Sequence, residues 1–408
     1  MHYAADLHLH SRYAAAVSSN MTLANIALYA RRKGIDVIGT GDCLQSLWLT
    51  ELEGHLVPAE EGWFALTSPM EADVLAQLSV SLREPLRFVL STEINCAPPG
   101  AGEFDGIHQL VYFSSFESVR KLRGILARHG DLSEGRPTVR LSSAQLLEIV
   151  VGMGDDTRMA PAHVMNPYFS SLGSQRGHQS LEEVFGANVS QLLAAETGLT
   201  STPSMCRRVS SLDSLALFSC SDAHSLENIG RECTLIDAEP GYAQMMEALA
   251  GGERNGVVGR LKVPIQLTRY YLNWCPRCAR SYDREECPQG HGSLATGSRD
   301  WLEVMADRAV PLIEPEPSKM LLPLKLLLGG LCQQNWKGKE VAKHYDRLLT
   351  RIGSERKILT EAAPELIATE FTPQLANEIA AQREKGFLGR LSKFRQAPAA
   401  TDSQMPLL

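Results

Sequence analysis

Apolar residues recur at helical spacing over residues 23–32, and Thr22 stands where an N-cap belongs. The next run, Ile35-Asp36-Val37-Ile38-Gly39-Thr40, is short, apolar and rich in β-branched residues, so it predicts a buried strand. Residues 87–91, 109–113 and 215–219 predict further strands, and residues 146–151 predict the end of a helix. Strand and helix patterns alternate over the first ~265 residues, which predicts a parallel α/β fold, most simply a barrel. In such barrels the chemistry sits where the C-terminal ends of the strands meet the loops. Residues 311–317 carry three prolines and two glutamates and read as a linker. The pattern from 320 to 394 is helical, and the Ala-, Pro- and Ser-rich end is expected to be disordered. The expected organisation is an α/β barrel over 1–265, a small Cys-rich lobe over 266–310, a helical unit over 311–396 and a tail over 397–408.

Composition narrows the class. The chain has 408 residues, long for one core, with 44% hydrophobic and 21% charged residues, as in ordinary globular proteins. The longest greasy stretch, residues 320–332, is broken by Pro323 and Lys325 and falls short of the roughly 20 residues a membrane span needs. No basic region followed by an apolar segment opens the chain, so no signal peptide is expected and a cytoplasmic location is. Nine cysteines are present, and three of them fall within residues 275–287, which fits metal binding in a reducing compartment better than a disulfide framework. The net charge of −7 argues against a simple nucleic-acid coat. Residues 319–396, however, carry 14 Lys and Arg against 8 Asp and Glu. A basic tail behind a metal-binding front half suits an enzyme acting on a phosphate backbone, and it equally suits a helical tail made soluble by its charge.

Three clusters carry candidate chemistry. His8 and His10 stand two apart near the end of an apolar opening, so in a strand they share a face and can hold one ion together. Asp222 and His224 repeat that spacing after a later strand. Glu93, His108 and His163 lie between them, each expected at or just after a strand end. Imidazoles and carboxylates converging in this way suit Zn²⁺, Mn²⁺ or Fe. Separately, Cys275-x2-Cys278 is followed by Cys287 and then His291, the spacing of a Cys₃His structural zinc site, with a degenerate finger that holds no metal as the alternative.

The ordered set His8-x-His10, Asp42, Glu93, His108, His163, Asp222-x-His224 resembles the PHP superfamily, the polymerase-and-histidinol-phosphatase domain. The resemblance covers the first ~265 residues and implies a distorted (β/α)7 barrel with a site for two or three metals. Within that superfamily, Lys33-Gly34-Ile35-Asp36-Val37-Ile38-Gly39-Thr40-Gly41-Asp42 is similar to the endonuclease Q family. So are Gly135-Arg136-Pro137, Pro161-Ala162-His163-Val164, Glu196-Thr197-Gly198-Leu199, Ser221-Asp222-Ala223-His224-Ser225, Gly230-Arg231-Glu232, the cysteine module and the tail around Leu322-Pro323-Leu324. This resemblance implies a hydrolase that nicks DNA 5′ to deaminated or abasic nucleotides, with Asp42, Glu93, Glu196 and Asp222 as catalytic groups. It implies that His8, His10, Glu93 and Asp222 hold one ion, that Glu93 bridges to a second at His108 and His163, and that His224 completes the cluster. The ions would be Zn²⁺, Mn²⁺, Mg²⁺ or Fe, with Zn²⁺ in the finger. Damaged duplex DNA is the implied partner, with Arg277, Arg280 and Arg284 of the finger lobe as phosphate contacts and no membrane involved. Ile352-Gly353-Ser354-Glu355 is also faintly similar to a helix-hairpin-helix, whose amides hold phosphate.

The chain departs from that family at three places. Gln45 stands where the family supplies a ligating histidine, Thr202 stands where it supplies an aspartate needed for cleavage, and residues 14–17 are Ala-Ala-Ala-Val where it is polar and basic. Two other functions therefore stay open: a weakened or inactive damaged-DNA-binding homologue, and a PHP phosphatase acting on a small phosphate ester, against which the finger and basic tail speak.

Overall fold

The first helix forms where its pattern places it. Leu23–Lys33 is capped by the Thr22 hydroxyl, which accepts from Asn25 N–H at 3.3 Å, and it ends at Gly34 in the left-handed region (φ 82°). Its apolar face, Leu23, Ile26, Ala27 and Ala30, is buried. The computed structural model describes residues 2–100, 106–252, 256–315 and 317–386. The expected tail over 397–408 and the last residues of the expected helical unit lie outside the described residues.

The structure is a mixed α/β fold around a large twelve-stranded sheet. Its main path runs Ser318–Met320, Val257–Lys262, Cys233–Asp237, His2–Asp6, Val37–Gly39, Arg87–Cys96, Phe64–Leu66, Leu56–Pro58. Ile107–Phe113 pairs with Arg87–Cys96, and Thr157–Pro161 pairs with Ile107–Phe113. The pairings of His2–Asp6 with Val37–Gly39 and of Val37–Gly39 with Arg87–Cys96 are parallel, as expected. Those of Arg87–Cys96 with Ile107–Phe113 and of His2–Asp6 with Cys233–Asp237 are antiparallel, which corrects the all-parallel expectation. Arg87–Cys96 also runs five residues beyond its expected end, because its continuation pairs residue by residue with Ile107–Phe113. Val37–Gly39 and Leu217–Phe218 are shorter than expected, since the chain turns at once into the loops that carry Asp42 and Asp222.

Hydrogen bonds continue the sheet's connections on the far side. Leu193 N–H donates to Met159 O (2.8 Å), Ala195–Glu196 pairs in parallel with Leu217–Phe218, and His10 N–H donates to Ala223 O (3.0 Å), back at the end of the first strand. Ser318–Met320, from the stretch next to the expected linker, pairs in parallel with Val257–Lys262. Buried Lys262 is satisfied there by Glu232, Thr197 Oγ1 (3.0 Å) and Gly198 O (2.9 Å).

The tail is helical as expected, through Leu324–Cys332, Lys339–Ile352, Glu355–Thr360, Pro364–Glu370 and Pro373–Lys385. No helix among the described residues is long and apolar enough to cross a membrane. The tail packs on the first helix around one buried carboxylate. Glu355 accepts from Lys33 Nζ (2.6 Å), Tyr345 OH (2.7 Å) and Leu324 N–H (2.8 Å). Burial raises its carboxyl, but Lys33, Tyr345 and the Leu324 N–H together hold it below the usual range. The Ile352–Glu355 motif is therefore spent inside the protein: Ser354 caps Glu355–Thr360 and Glu355 ties two helices and Lys33 together. Replacing Glu355 with Ala leaves Lys33 buried without its partner, so Glu355→Ala is expected to destabilise the protein by on the order of 3–5 kcal/mol, read as a lowered urea midpoint. An unchanged midpoint would show that Glu355 is not what ties tail to sheet.

Candidate metal centre

The expected site residues are delivered by several strands or by the loops that follow them. His8 and His10 lie just past His2–Asp6, and Asp42 lies just past Val37–Gly39. His163 follows Thr157–Pro161, Glu196 ends Ala195–Glu196, and Asp222 follows Leu217–Phe218. Glu93 and His108 differ from expectation. They lie within the paired strands Arg87–Cys96 and Ile107–Phe113, where alternation turns Glu93 away from the core residues Ile94 and Cys96. Asp42 (φ 49°), His163 (φ 31°) and Asp222 (φ 47°) occupy the left-handed region, a strain of about 1–3 kcal/mol each that the surroundings must impose. Gly198 makes room for one of these turns, since a Cβ there would stand 2.5 Å from the Cβ of His163.

The side chains meet in two groups of three whose ligand atoms lie within 4.8 Å of one another: His8, His10 and Asp222, and Glu93, His108 and His163. Glu93, of the second group, also faces the first. Its Oε1 faces His108 Nδ1 (2.9 Å), His163 Nε2 (3.1 Å) and His8 Nε2 (3.5 Å), and its Oε2 faces His10 Nε2 (3.2 Å). Asp222 Oδ1 stands 3.5 Å from His8 Nε2 and 3.4 Å from His10 Nε2. Yet Nε2 of His8 and of His10 makes no aligned hydrogen bond, although both atoms are buried.

The opposite ring nitrogens are engaged. His8 Nδ1 lies 3.1 Å from both oxygens of Glu196, and His10 Nδ1 lies 3.0 Å from Asp42 Oδ1. Asp42 accepts in addition from Ser11 N–H (2.6 Å) and Ser11 Oγ (2.7 Å), and Glu196 from His163 N–H (2.7 Å). Such carboxylates hold an imidazole in one tautomer and aim its other nitrogen, the arrangement found behind metal-binding histidines. The residues therefore fit divalent cations: two buried nitrogens with no hydrogen bond of their own point, with Glu93 and Asp222, at common positions. His224 stands beside this cluster. Its ring lies 4.6 Å from that of His10, but its Nδ1 is turned to Asp222 O (2.9 Å), and it joins neither group.

The electrostatics agree. Burial raises the Glu93 carboxyl, but His108 and His8 outweigh it and hold it well below the usual carboxylate range. Asp222 is likewise held low against burial, by His8 and His224. Burial opposes protonation of His8, yet Glu196, Asp222 and Glu93 prevail and raise it well above the imidazole norm. His10 is raised in the same way, chiefly by Asp42. Burial dominates at His108 and pushes it down to about 4, leaving a neutral ring able to ligate. Carboxylates that draw protons onto buried imidazoles occupy a place that a multivalent cation would satisfy.

The two replaced positions have local structural roles. Gln45 is buried. Its Oε1 accepts from Trp48 N–H (2.7 Å), capping Ser46–His55, and its Nε2 donates to Ser133 O (3.1 Å), so both ends of the amide are used. Thr202 caps Pro203–Cys206 by accepting from Met205 N–H (3.2 Å). Ser11, Phe169 and Arg136 belong to the site without having been assigned to it from sequence. Phe169 stacks on His108 at 4.7 Å and its carbonyl accepts from His108 N–H (2.8 Å), while Arg136 Nη1 lies 3.2 Å from Glu93 Oε2. Gly135-Arg136-Pro137 was a visible signal for the last, and nothing in the local sequence marks Phe169.

The cysteine lobe brings its four expected donors together. His291 Nδ1 lies 3.2 Å from Cys278 Sγ, 3.5 Å from Cys275 Sγ and 3.6 Å from Cys287 Sγ, and the Sγ atoms of Cys278 and Cys287 are 3.4 Å apart. Ligands about 2.3 Å from a tetrahedral centre stand about 3.7 Å apart, so the set fits one ion. Asn273–Cys275 and Arg280–Tyr282 form the hairpin that presents the first two cysteines, and Arg277, Arg280 and Arg284 are exposed on it and just beyond it.

No protein-family model matches the chain. It is 30% identical over 164 residues to an uncharacterized protein of Methanocaldococcus jannaschii, MJ0043, and the match spans 40% of this chain and 16% of that protein's length. It is 25% identical over 390 residues to the uncharacterized protein YqxK of Bacillus subtilis, covering 91% of this chain and 92% of the other. Among solved structures it matches a lesion-specific endonuclease from Pyrococcus furiosus, PfuEndoQ, with TM-score 0.80 and 26% identity over 94% of this chain and 91% of that one. It also matches endonuclease Q in complex with a 27-mer duplex carrying an abasic lesion at the active site, with TM-score 0.81 and 26% identity over 94% and 92% of the two chains. Nearly the whole chain is shared with both structures, so the protein resembles the endonuclease Q family along that span.

Proposed function

We propose that this protein is a divalent-metal-dependent DNA-repair endonuclease that nicks the strand 5′ to deaminated or abasic nucleotides. The observation that supports it most directly is Glu93, of one three-residue ligand group, facing a histidine of the other, inside a fold shared over 94% of the chain with an endonuclease bound to an abasic duplex. In this reading residues 1–265 are a PHP-type barrel. Its seven strands would be His2–Asp6, Val37–Gly39, Arg87–Cys96, Ile107–Phe113, Thr157–Pro161, Ala195–Glu196 and Leu217–Phe218. Residues 266–310 are a zinc-finger lobe and 311–396 a helical unit.

His8, His10 and Asp222 hold one ion, and Glu93, His108 and His163 hold a second beside it. Divalent ions placed there lower the pKa of a bound water and neutralise charge on the phosphate being attacked. The protein's own groups prepare that setting. Glu196 and Asp42 aim the two imidazoles, Ser11 fixes Asp42, and Phe169 covers one face of His108. The same geometry makes Asp42 and Glu196 positioning residues rather than direct ligands. Cys275, Cys278, Cys287 and His291 hold structural Zn²⁺, and Arg277, Arg280 and Arg284 meet phosphates of the duplex. A DNA-binding homologue with reduced cleavage is the second reading. It is favoured by Gln45 and Thr202, whose side chains are engaged as helix caps where the family supplies a histidine and an aspartate.

The purified protein is expected to nick duplexes containing uracil, inosine or an abasic site when given Mn²⁺, Mg²⁺ or Zn²⁺, read on a denaturing gel. Binding without nicking under all three metals would favour the second reading, and phosphate release only from small esters would overturn both. Elemental analysis is expected to find two ions in the histidine–carboxylate cluster and one in the cysteine lobe. His10→Ala should remove cluster metal, and Cys278→Ser should remove only lobe zinc. Thr202→Asp keeps a capping side chain and is expected to raise nicking at least about tenfold, whereas Gln45→His gives up a cap worth about 0.5–2 kcal/mol and should lower the melting temperature.

A further inference from the structure

A guanidinium stands at the metal centre, and it cannot be there to ligate, because it has no free lone pair and does not lose its proton in proteins. Arg136 Nη1 lies 3.2 Å from Glu93 Oε2, the oxygen that also faces His10. Glu93 keeps 1% of its side-chain surface exposed and Arg136 keeps 28%, so the guanidinium reaches from the buried cluster to its open side. Its placement is built into the loop. Gly135 N–H donates to Tyr13 O (3.0 Å), and Asn95 N–H donates to Pro137 O (2.9 Å), which pins both neighbours of Arg136. A Cβ on Gly135 would stand 2.6 Å from Asp42 Oδ2 and 2.8 Å from the Cβ of Ala14, so only glycine lets the loop lie against Asp42 and carry Arg136 to Glu93. The second nearby arginine is used differently. Arg231 donates to the main-chain oxygens of Ser221 (2.8 Å) and Asp222 (3.4 Å), and so supports the strained turn at Asp222.

We infer that Arg136 binds the scissile phosphate. One donor of its fork rests on Glu93 and keeps the plane of the guanidinium fixed. With 28% of the side chain exposed, others among its five N–H groups would match two oxygens of a phosphodiester. This is a binding contact in which no bond forms or breaks. It stabilises the charge that builds on the phosphate oxygens as the bond is attacked. The inference rests on the endonuclease reading and deepens it.

The test uses the full-length, metal-loaded protein with Arg136→Met and Arg136→Lys, on a duplex carrying one abasic site. Metal content by elemental analysis and the thermal midpoint are expected to match wild type in both variants. Binding in Ca²⁺ is measured from roughly 50 to 200 mM salt, and the slope of log K against log salt is expected to fall by about 1 in Arg136→Met, one phosphate contact. Arg136→Met should cut the nicking rate on the order of 10²–10³-fold, the usual loss for one donor to developing oxyanion charge. Arg136→Lys should restore the salt slope and only part of the rate, because the point charge returns without the fork. Loss of cluster metal in Arg136→Met would overturn the inference and make the residue a support for Glu93. Wild-type slope and rate in Arg136→Met would overturn it as well, leaving the endonuclease reading standing. A wild-type protein that neither binds nor nicks the duplex would overturn the endonuclease reading itself.

Discussion

One buried carboxylate organises the working end of this protein. Glu93 is almost fully enclosed, with imidazoles of His8, His10, His108 and His163 and the guanidinium of Arg136 all turned toward it. An ionised carboxylate cannot remain in such a place without compensating charge, and the guanidinium groups of Arg136 and Arg231 do not balance Glu93, Asp42, Glu196 and Asp222 together. The imidazoles therefore either take protons or share cations. The buried, unbonded Nε2 atoms of His8 and His10 fit the second arrangement. A cation held there would couple to the integrity of this end of the sheet, because the same groups would supply both.

The strain at the site follows from the same demand. Strand ends that meet around a common point must turn sharply within two or three residues. Asp42, His163 and Asp222 do so in a backbone region that side chains other than glycine seldom enter. Arg231 on the carbonyls of Ser221 and Asp222, Ser11 on Asp42, and Glu196 on the N–H of His163 hold those turns. The departures at Gln45 and Thr202 fall on a different kind of position. Both residues sit at the first turn of a helix and satisfy a free main-chain N–H there. Each side chain is turned to a main-chain N–H of its own helix, and Gln45 also donates to Ser133 O.

Local pattern revealed much of this. The Thr22 cap, the 23–33 helix, the helical tail and the four donors of the cysteine lobe were readable because each depends on residues close in sequence. His8, His10, Glu93, His108, His163 and Asp222 were readable as ligand types in a recognisable order. The antiparallel hairpin of Arg87–Cys96 with Ile107–Phe113 was not, since an apolar run does not announce the direction of its partner. Neither was the strand Ser318–Met320 from the stretch beside the expected linker, which reads as punctuation until Val257–Lys262 offers it an edge.

The amino-acid sequence on its own determined the alternation of strand and helix, the chemistry of the donor set and the spacing of the cysteine lobe, because these are properties of short segments and of residue type. Only the tertiary structure decided which nitrogen of each imidazole faces the cluster, that Asp42 and Glu196 stand behind the histidines, that His224 turns to a main-chain carbonyl, and that Arg136 reaches Glu93. Apart from that of His224, whose partner is in the same turn, those assignments depend on segments dozens to hundreds of residues apart being brought within about 3 Å by the packing of the sheet. A side chain's chemical identity is local, whereas its partner is set by the whole fold.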